Sequence, residues 1–318
     1  MTYESVLEEI ARERSDIVVM TAENRAAIRT LPAALGERFI DVGICEQTMI
    51  GAAAGLALRG RRPVVHALSA FLTMRAFEFI RTDIGIAGLP VTLVGGVPGV
   101  LSEANGPTHQ AIEDVALMRG IPGMGVFCPA DADELAAGMR AILESARPYY
   151  VRHNPTPSVV AHTTAFEPGR AETFGAGTDV GILCYGFLFG EAIGARDLLE
   201  ARGISTRVVD LRTLVPIDDA SLERTVEECS LVVTLEDHFL VGGLYSILAE
   251  WLLARRRTAD VLPIGFDRRW FRPALLHDVL AFERLDAEGI AARIEERLAG
   301  SARSFTAAPE PSSAMHTN

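Results

Sequence analysis

The chain has 318 residues, 49% hydrophobic and 23% charged, which is enough for two domains with separate cores and far from a disordered composition. Its formal net charge of −12 argues against nucleic acid or an anionic membrane surface as a partner. No apolar run reaches the roughly 18 residues of a bilayer span, and the start of the chain lacks the basic and apolar regions of a signal peptide. The expectation is a soluble, cytoplasmic protein, with Cys45, Cys128, Cys184 and Cys229 as reduced, mostly buried thiols.

The spacing of Val6, Ile10 and the stem of Arg14 predicts a helix over 3–14. The short apolar run Ile17-Val18-Val19-Met20 reads as a buried strand. The pattern repeats with strands near 39–42, 63–67 and 90–95 and helices over 45–58 and 73–86. A helix near 110–119, a strand near 125–127, a helix over 132–146 and a strand over 149–152 follow. A second set has strands over 180–185, 206–210, 231–235 and 261–265, with helices over 190–202, 218–228, 243–256 and 286–299. Apolar strands alternating with helices predict an α/β fold of two consecutive domains, each a mostly parallel sheet with helices on both faces. The first domain is expected over 1–160 and the second over 179–300. The Pro- and Gly-rich stretch 161–178 reads as a linker, and 301–318, rich in Ser, Ala and Pro, as a disordered tail.

Five stretches carry residues that could do chemistry. Gly43-Ile44-Cys45-Glu46-Gln47 opens a helix rich in Gly and Ala, with Glu46 in its first turn among apolar neighbours. A carboxylate there either interacts with the helix dipole or pairs with a ligand, and the small residues 51–55 permit close approach of a helix or a flat ligand. Phe71 to Phe79 is unusually aromatic, and aromatics at helical spacing are core residues unless a ring stacks on them. In Glu103-Ala104-Asn105-Gly106-Pro107-Thr108-His109-Gln110, either Thr108 caps a helix and His109 is incidental, or His109 exchanges protons with a substrate. Arg152 ends a strand, where its planar fork suits a phosphate or an interdomain carboxylate. Glu236-Asp237-His238, followed by Gly242-Gly243-Leu244, reads as structural. The other histidines, His66, His153, His162, His277 and His316, have no ligand spacing, so no metal site is expected on this chain.

These stretches, in this order, resemble the transketolase family over about residues 1–300, matching the C-terminal half of a full-length member. The resemblance implies that Glu46 hydrogen-bonds the aminopyrimidine of thiamine diphosphate and activates the cofactor. It implies that Phe71, or failing that Phe77, stacks on that ring. It implies that His109 meets the reacting carbons, with Asn105 and Arg152 as further substrate contacts and Arg152 as a phosphate ligand. Glu236-Asp237-His238 falls to the C-terminal domain, in packing and subunit contact.

Some family positions differ. Val97 stands where typical transketolases carry a histidine, and Asn105 where an acidic residue meets a sugar hydroxyl. The Gly-Asp-Gly motif that holds Mg²⁺ and diphosphate in thiamine enzymes does not occur in this sequence, which points to another polypeptide as the holder of both. The expected function is therefore that of the C-terminal-half subunit of a two-chain transketolase-like enzyme moving a two-carbon ketol unit between sugars. Its expected partner is an N-terminal-half subunit, two copies of each forming a heterotetramer. The alternatives are the beta subunit of a 2-oxo acid decarboxylating or carrier-acylating thiamine enzyme, and a non-catalytic interaction subunit.

Overall fold

A computed structural model describes residues 2–306 except 268, 271 and 272. The first sheet is built from β1 (Ile17–Thr21), β2 (Phe39–Asp41), β3 (Arg62–Leu68), β4 (Thr92–Gly96), β5 (Gly125–Phe127) and β6 (Tyr149–His153). The second is built from β7 (Glu172–Phe174), β8 (Val180–Cys184), β9 (Thr206–Asp210), β11 (Leu231–Phe239) and β12 (Val261–Phe266), while β10 (Thr213–Val215) crosses back to the first. The sheets order as β10-β5-β6-β4-β3-β1-β2 and β12-β11-β8-β9-β7. All pairings are parallel except β10 on β5 and β7 on β9, so the two-domain α/β expectation holds. The central strands are buried along their length, as apolar strands covered by helices on both faces must be.

The order of the first sheet reverses between β1 and β3: β2 lies beyond β1 on one side, and β3, β4 and β6 run outward on the other. In open parallel sheets, ligands bind beyond the carboxyl ends of the strands at such a reversal. There Glu23 and Val97, which follow β1 and β4, hold φ of 59° and 46°. That backbone is uncommon outside glycine and an outlier for a β-branched residue.

The domains are joined more closely than a linker would join them. The stretch 161–178 contains β7, paired with β9 through Thr173 and Val209, and β10 closes the edge of the first sheet. One buried apolar cluster runs across both units, from Met20, Met49 and Val65 to Leu183, Val232 and Trp251. The last helix, Ala287–Thr306, continues six residues into the expected tail, and residues 307–318 lie outside the described residues. Where a regular helix is expected over 73–86, the backbone is π-wound over Phe71–Arg75 and Ile80–Gly85 with one helical turn, Phe77–Phe79, between. The helix after the histidine motif starts only at Asp114, so Thr108 does not cap it; its hydroxyl meets His109 Nδ1 at 2.9 Å.

Candidate active site

Four side chains form a chain of contacts beyond β1 and β3. Glu46 begins the helix Glu46–Leu58 and is 2% exposed. Arg75 Nη1 donates to both of its carboxylate oxygens, at 3.0 and 3.2 Å. The Arg75 guanidinium carbon lies 4.1 Å from the centre of the Phe71 ring, and His109 meets Phe71 edge-on at 5.1 Å between ring centres. The partner that a buried carboxylate requires is therefore a side chain of the same chain, held on an aromatic face. Ala22, Glu23, Asn24, Ile44, Glu46, Leu68 and Phe71 line a cleft of about 340 Å³ at this point. A larger hollow of about 670 Å³ shares Asn24 and Leu68 with it and reaches Val97 and His153. Burial holds His153 down to about 4, so this imidazole is neutral near pH 7.

Of the expected site residues, Glu46, Phe71 and His109 come together. Phe77 faces elsewhere, packing against the apolar cluster that holds Ile80 and Ile84. Asn105 is exposed in the short turn Glu103–Asn105, four residues before His109. Arg75 was legible only as a cation four residues after Phe71; the π-wound turn that sets its guanidinium over that ring has no sequence signature of its own.

Arg152 corrects the substrate-phosphate expectation. It is 1% exposed and bound to carboxylates on both sides: Nε donates to Asp114 at 2.9 Å, while Nη1 and Nη2 reach Asp237 at 2.6 and 3.2 Å. Tyr150 adds its hydroxyl to Asp114 at 2.6 Å. This is the interdomain ion pair, and it leaves the guanidinium no open side for a substrate. The stretch 236–238 completes it. Glu236 accepts the amides of Leu244 and Tyr245 at the start of the helix Leu244–Ala254, and His238 Nε2 accepts the Ala116 amide at 3.3 Å. Gly99 has φ +59°, and a Cβ there would meet Asp237 Oδ2 at 1.7 Å, so only glycine lets the loop pass this carboxylate.

A second cluster gathers groups that sequence spacing leaves apart. Glu134, His162 and Asp210 bring possible ligand atoms within 4.8 Å of one another. Both imidazole nitrogens are engaged, Nδ1 with Glu172 at 2.9 Å and Nε2 with Asp131 at 2.8 Å, while Arg212 forms ion pairs with Glu134 and Glu172. The bond to Asp131 raises the His162 pKa to about 9, so near neutral pH the imidazolium serves as a cation shared by Asp131 and Glu172. Among the described residues, no helix is long and apolar enough to cross a membrane.

Comparison with known proteins shows the family. Residues 1–155 match the family "Transketolase, pyrimidine binding domain" and residues 169–290 match "Transketolase, C-terminal domain". A 6-deoxy-6-sulfo-D-fructose transketolase subunit, SqwH, of a Clostridium species is 37% identical over 255 residues, covering 79% of each chain. One of the subunits of the apulose-4-phosphate transketolase of Phocaeicola vulgatus is 30% identical over 298 residues, covering 91% of this chain and 94% of its own. A solved structure described as a split gene transketolase, inactive beta4 tetramer, superposes with a TM-score of 0.82 at 35% identity, covering 93% of this chain and 96% of that one. The chain belongs to the transketolase family, as a pyrimidine-binding domain followed by the family's C-terminal domain.

Proposed function

We propose that the chain is the C-terminal subunit of a split, thiamine diphosphate-dependent transketolase that transfers a two-carbon ketol unit, active only with a separate N-terminal-half subunit. The observation that carries this reading is the buried Glu46 at a helix start, facing a cleft at the sheet's reversal with Phe71 and His109 beside it. These residues fit an aminopyrimidine. The group now on Phe71 and Glu46 is itself a flat, N–H-bearing guanidinium, which supports both the stacking face and the acceptor edge. Bound there, thiamine diphosphate supplies the carbon nucleophile and the electron sink. Glu46 holds the ring nitrogen in its protonated form, Phe71 fixes the plane of the ring, and His109 donates to or accepts from a substrate hydroxyl. The partner subunit holds the diphosphate and Mg²⁺.

Support for the two-chain reading comes from two sides. The relatives described as subunits are matched over most of their length. The helix after Glu46 also presents Thr48, Ala52, Gly55 and Leu58 to solvent on one stripe, and Ile44 and Leu58 are 66% and 72% exposed, a surface suited to close packing against another subunit.

A second reading, decarboxylation of a 2-oxo acid, draws on specific observations: Arg152 is closed off by carboxylates, and Val97 offers no polar side chain. The complex with the partner subunit separates the two when offered a ketose phosphate or pyruvate as donor, in the presence of thiamine diphosphate and Mg²⁺. Ketol transfer predicts aldehyde release from the ketose and no carbon dioxide from pyruvate. Carbon dioxide from pyruvate alone would replace the proposed reaction with the second one.

A further inference from the structure

We propose that Arg75 is a built-in stand-in for the cofactor's aminopyrimidine, occupying its place until thiamine diphosphate arrives and displaces it. The proposal rests on the assignment of Glu46 and Phe71 to the cofactor, and the contacts of Arg75 are its evidence. An aminopyrimidine in this site needs a flat apolar face to lie on and a carboxylate at its edge. Arg75 takes both: its guanidinium is stacked on Phe71 at 4.1 Å and donates to both oxygens of Glu46. Guanidinium and aminopyrimidine are both planar, delocalised and edged with N–H groups, so one exchanges for the other without leaving the buried carboxylate unpaired at either end.

The local backbone suits this exchange. The π-wound turn Phe71–Arg75 aligns the guanidinium with the ring of its first residue, and Gln47 Nε2 donates to the Arg75 carbonyl at 3.3 Å, which ties down the backbone independently of the side chain. Arg75 is 40% exposed at its side chain while Glu46 is 2% exposed, so the arginine lies on the solvent side of the pair and leaves outward without opening the core. Its role is that of a positioning residue: it keeps Glu46 paired in a subunit that holds only part of the cofactor site, and the cofactor must compete with it.

The test uses the complex with the N-terminal-half subunit and reads thiamine diphosphate affinity by calorimetry in the presence of Mg²⁺. Arg75→Met removes the competitor, and the complex should bind the cofactor about tenfold more tightly. In the isolated chain the same substitution should lower the urea midpoint, and Arg75→Met with Glu46→Gln should restore it, since glutamine needs no counter-ion. Arg75→Lys keeps the charge and loses the flat stack, and is expected to bind the cofactor more tightly than wild type by a smaller factor, which keeps the test open if Arg75→Met does not assemble. Unchanged or weaker cofactor binding in either variant would overturn the stand-in role. Failure of the underlying assignment looks different: Glu46→Gln would then leave cofactor affinity and turnover as they are in the wild type.

Discussion

Glu46→Ala should lower turnover of the assembled complex by about 10³-fold, the range expected when a positioned acid–base group is removed from a transition state. The large effect follows from isolation. Glu46 is buried at a helix start, its side-chain partner among the described residues is Arg75, and the other carboxylate lining the cleft is Glu23. Glu23 is exposed at the cleft mouth, whereas Glu46 is the buried acid facing Phe71 and Arg75. The fold should survive, because Arg75 is partly exposed and is resolvated when the carboxylate goes. Circular dichroism and assembly with the partner subunit serve as controls. An unaffected rate in a normally assembled complex would remove Glu46 from the mechanism and leave the chain a scaffold for chemistry done elsewhere.

The second large effect is on stability. Arg152→Met should destabilise the chain by about 3–5 kcal/mol, the usual cost of stripping the partner from buried charges. Two carboxylates, Asp114 and Asp237, depend on this one guanidinium, and both are fully buried. Burial already pushes the Asp237 carboxyl up to about 6 with Arg152 in place, which shows how little solvent compensation it has. Because Asp114 belongs to the first domain and Asp237 to the second, urea unfolding of the variant should begin with loss of the contact between the domains. Adding Asp114→Asn and Asp237→Asn should recover much of the loss. A variant of wild-type stability that instead binds a phosphorylated substrate poorly would mean that Arg152 turns toward the cleft after all.

How much of this was readable in the sequence depends on the range of the interaction concerned. Strands such as Ile17–Thr21 and Val180–Cys184 announce themselves as apolar runs because parallel strands are buried on both faces. Glu46 stood out as an acid opening a Gly- and Ala-rich helix, but a role for it and for His109 came from the family resemblance, since spacing alone fits a helix-dipole acid and an incidental histidine. The short antiparallel strands Glu172–Phe174 and Thr213–Val215 were not: three residues carry no period, and each is a strand only because a distant edge is open to it. Helices Leu31–Leu35 and Leu276–Glu283 escaped for the same brevity. The fate of Arg152 needed the structure, since a guanidinium facing Asp114 and Asp237 looks, in sequence, like one awaiting a phosphate. The His162 cluster likewise draws on residues from 131 to 212 that no spacing rule connects.

The central claim, a cofactor site completed only between two chains, is tested most directly by titrating thiamine diphosphate with Mg²⁺ into this chain alone and into its mixture with the N-terminal-half subunit, followed by calorimetry. The account predicts no measurable binding to the chain alone and saturable binding to the mixture, one cofactor for each copy of this chain. Tight binding to the chain alone would contradict it, because the diphosphate and its metal would then be held by residues of this chain.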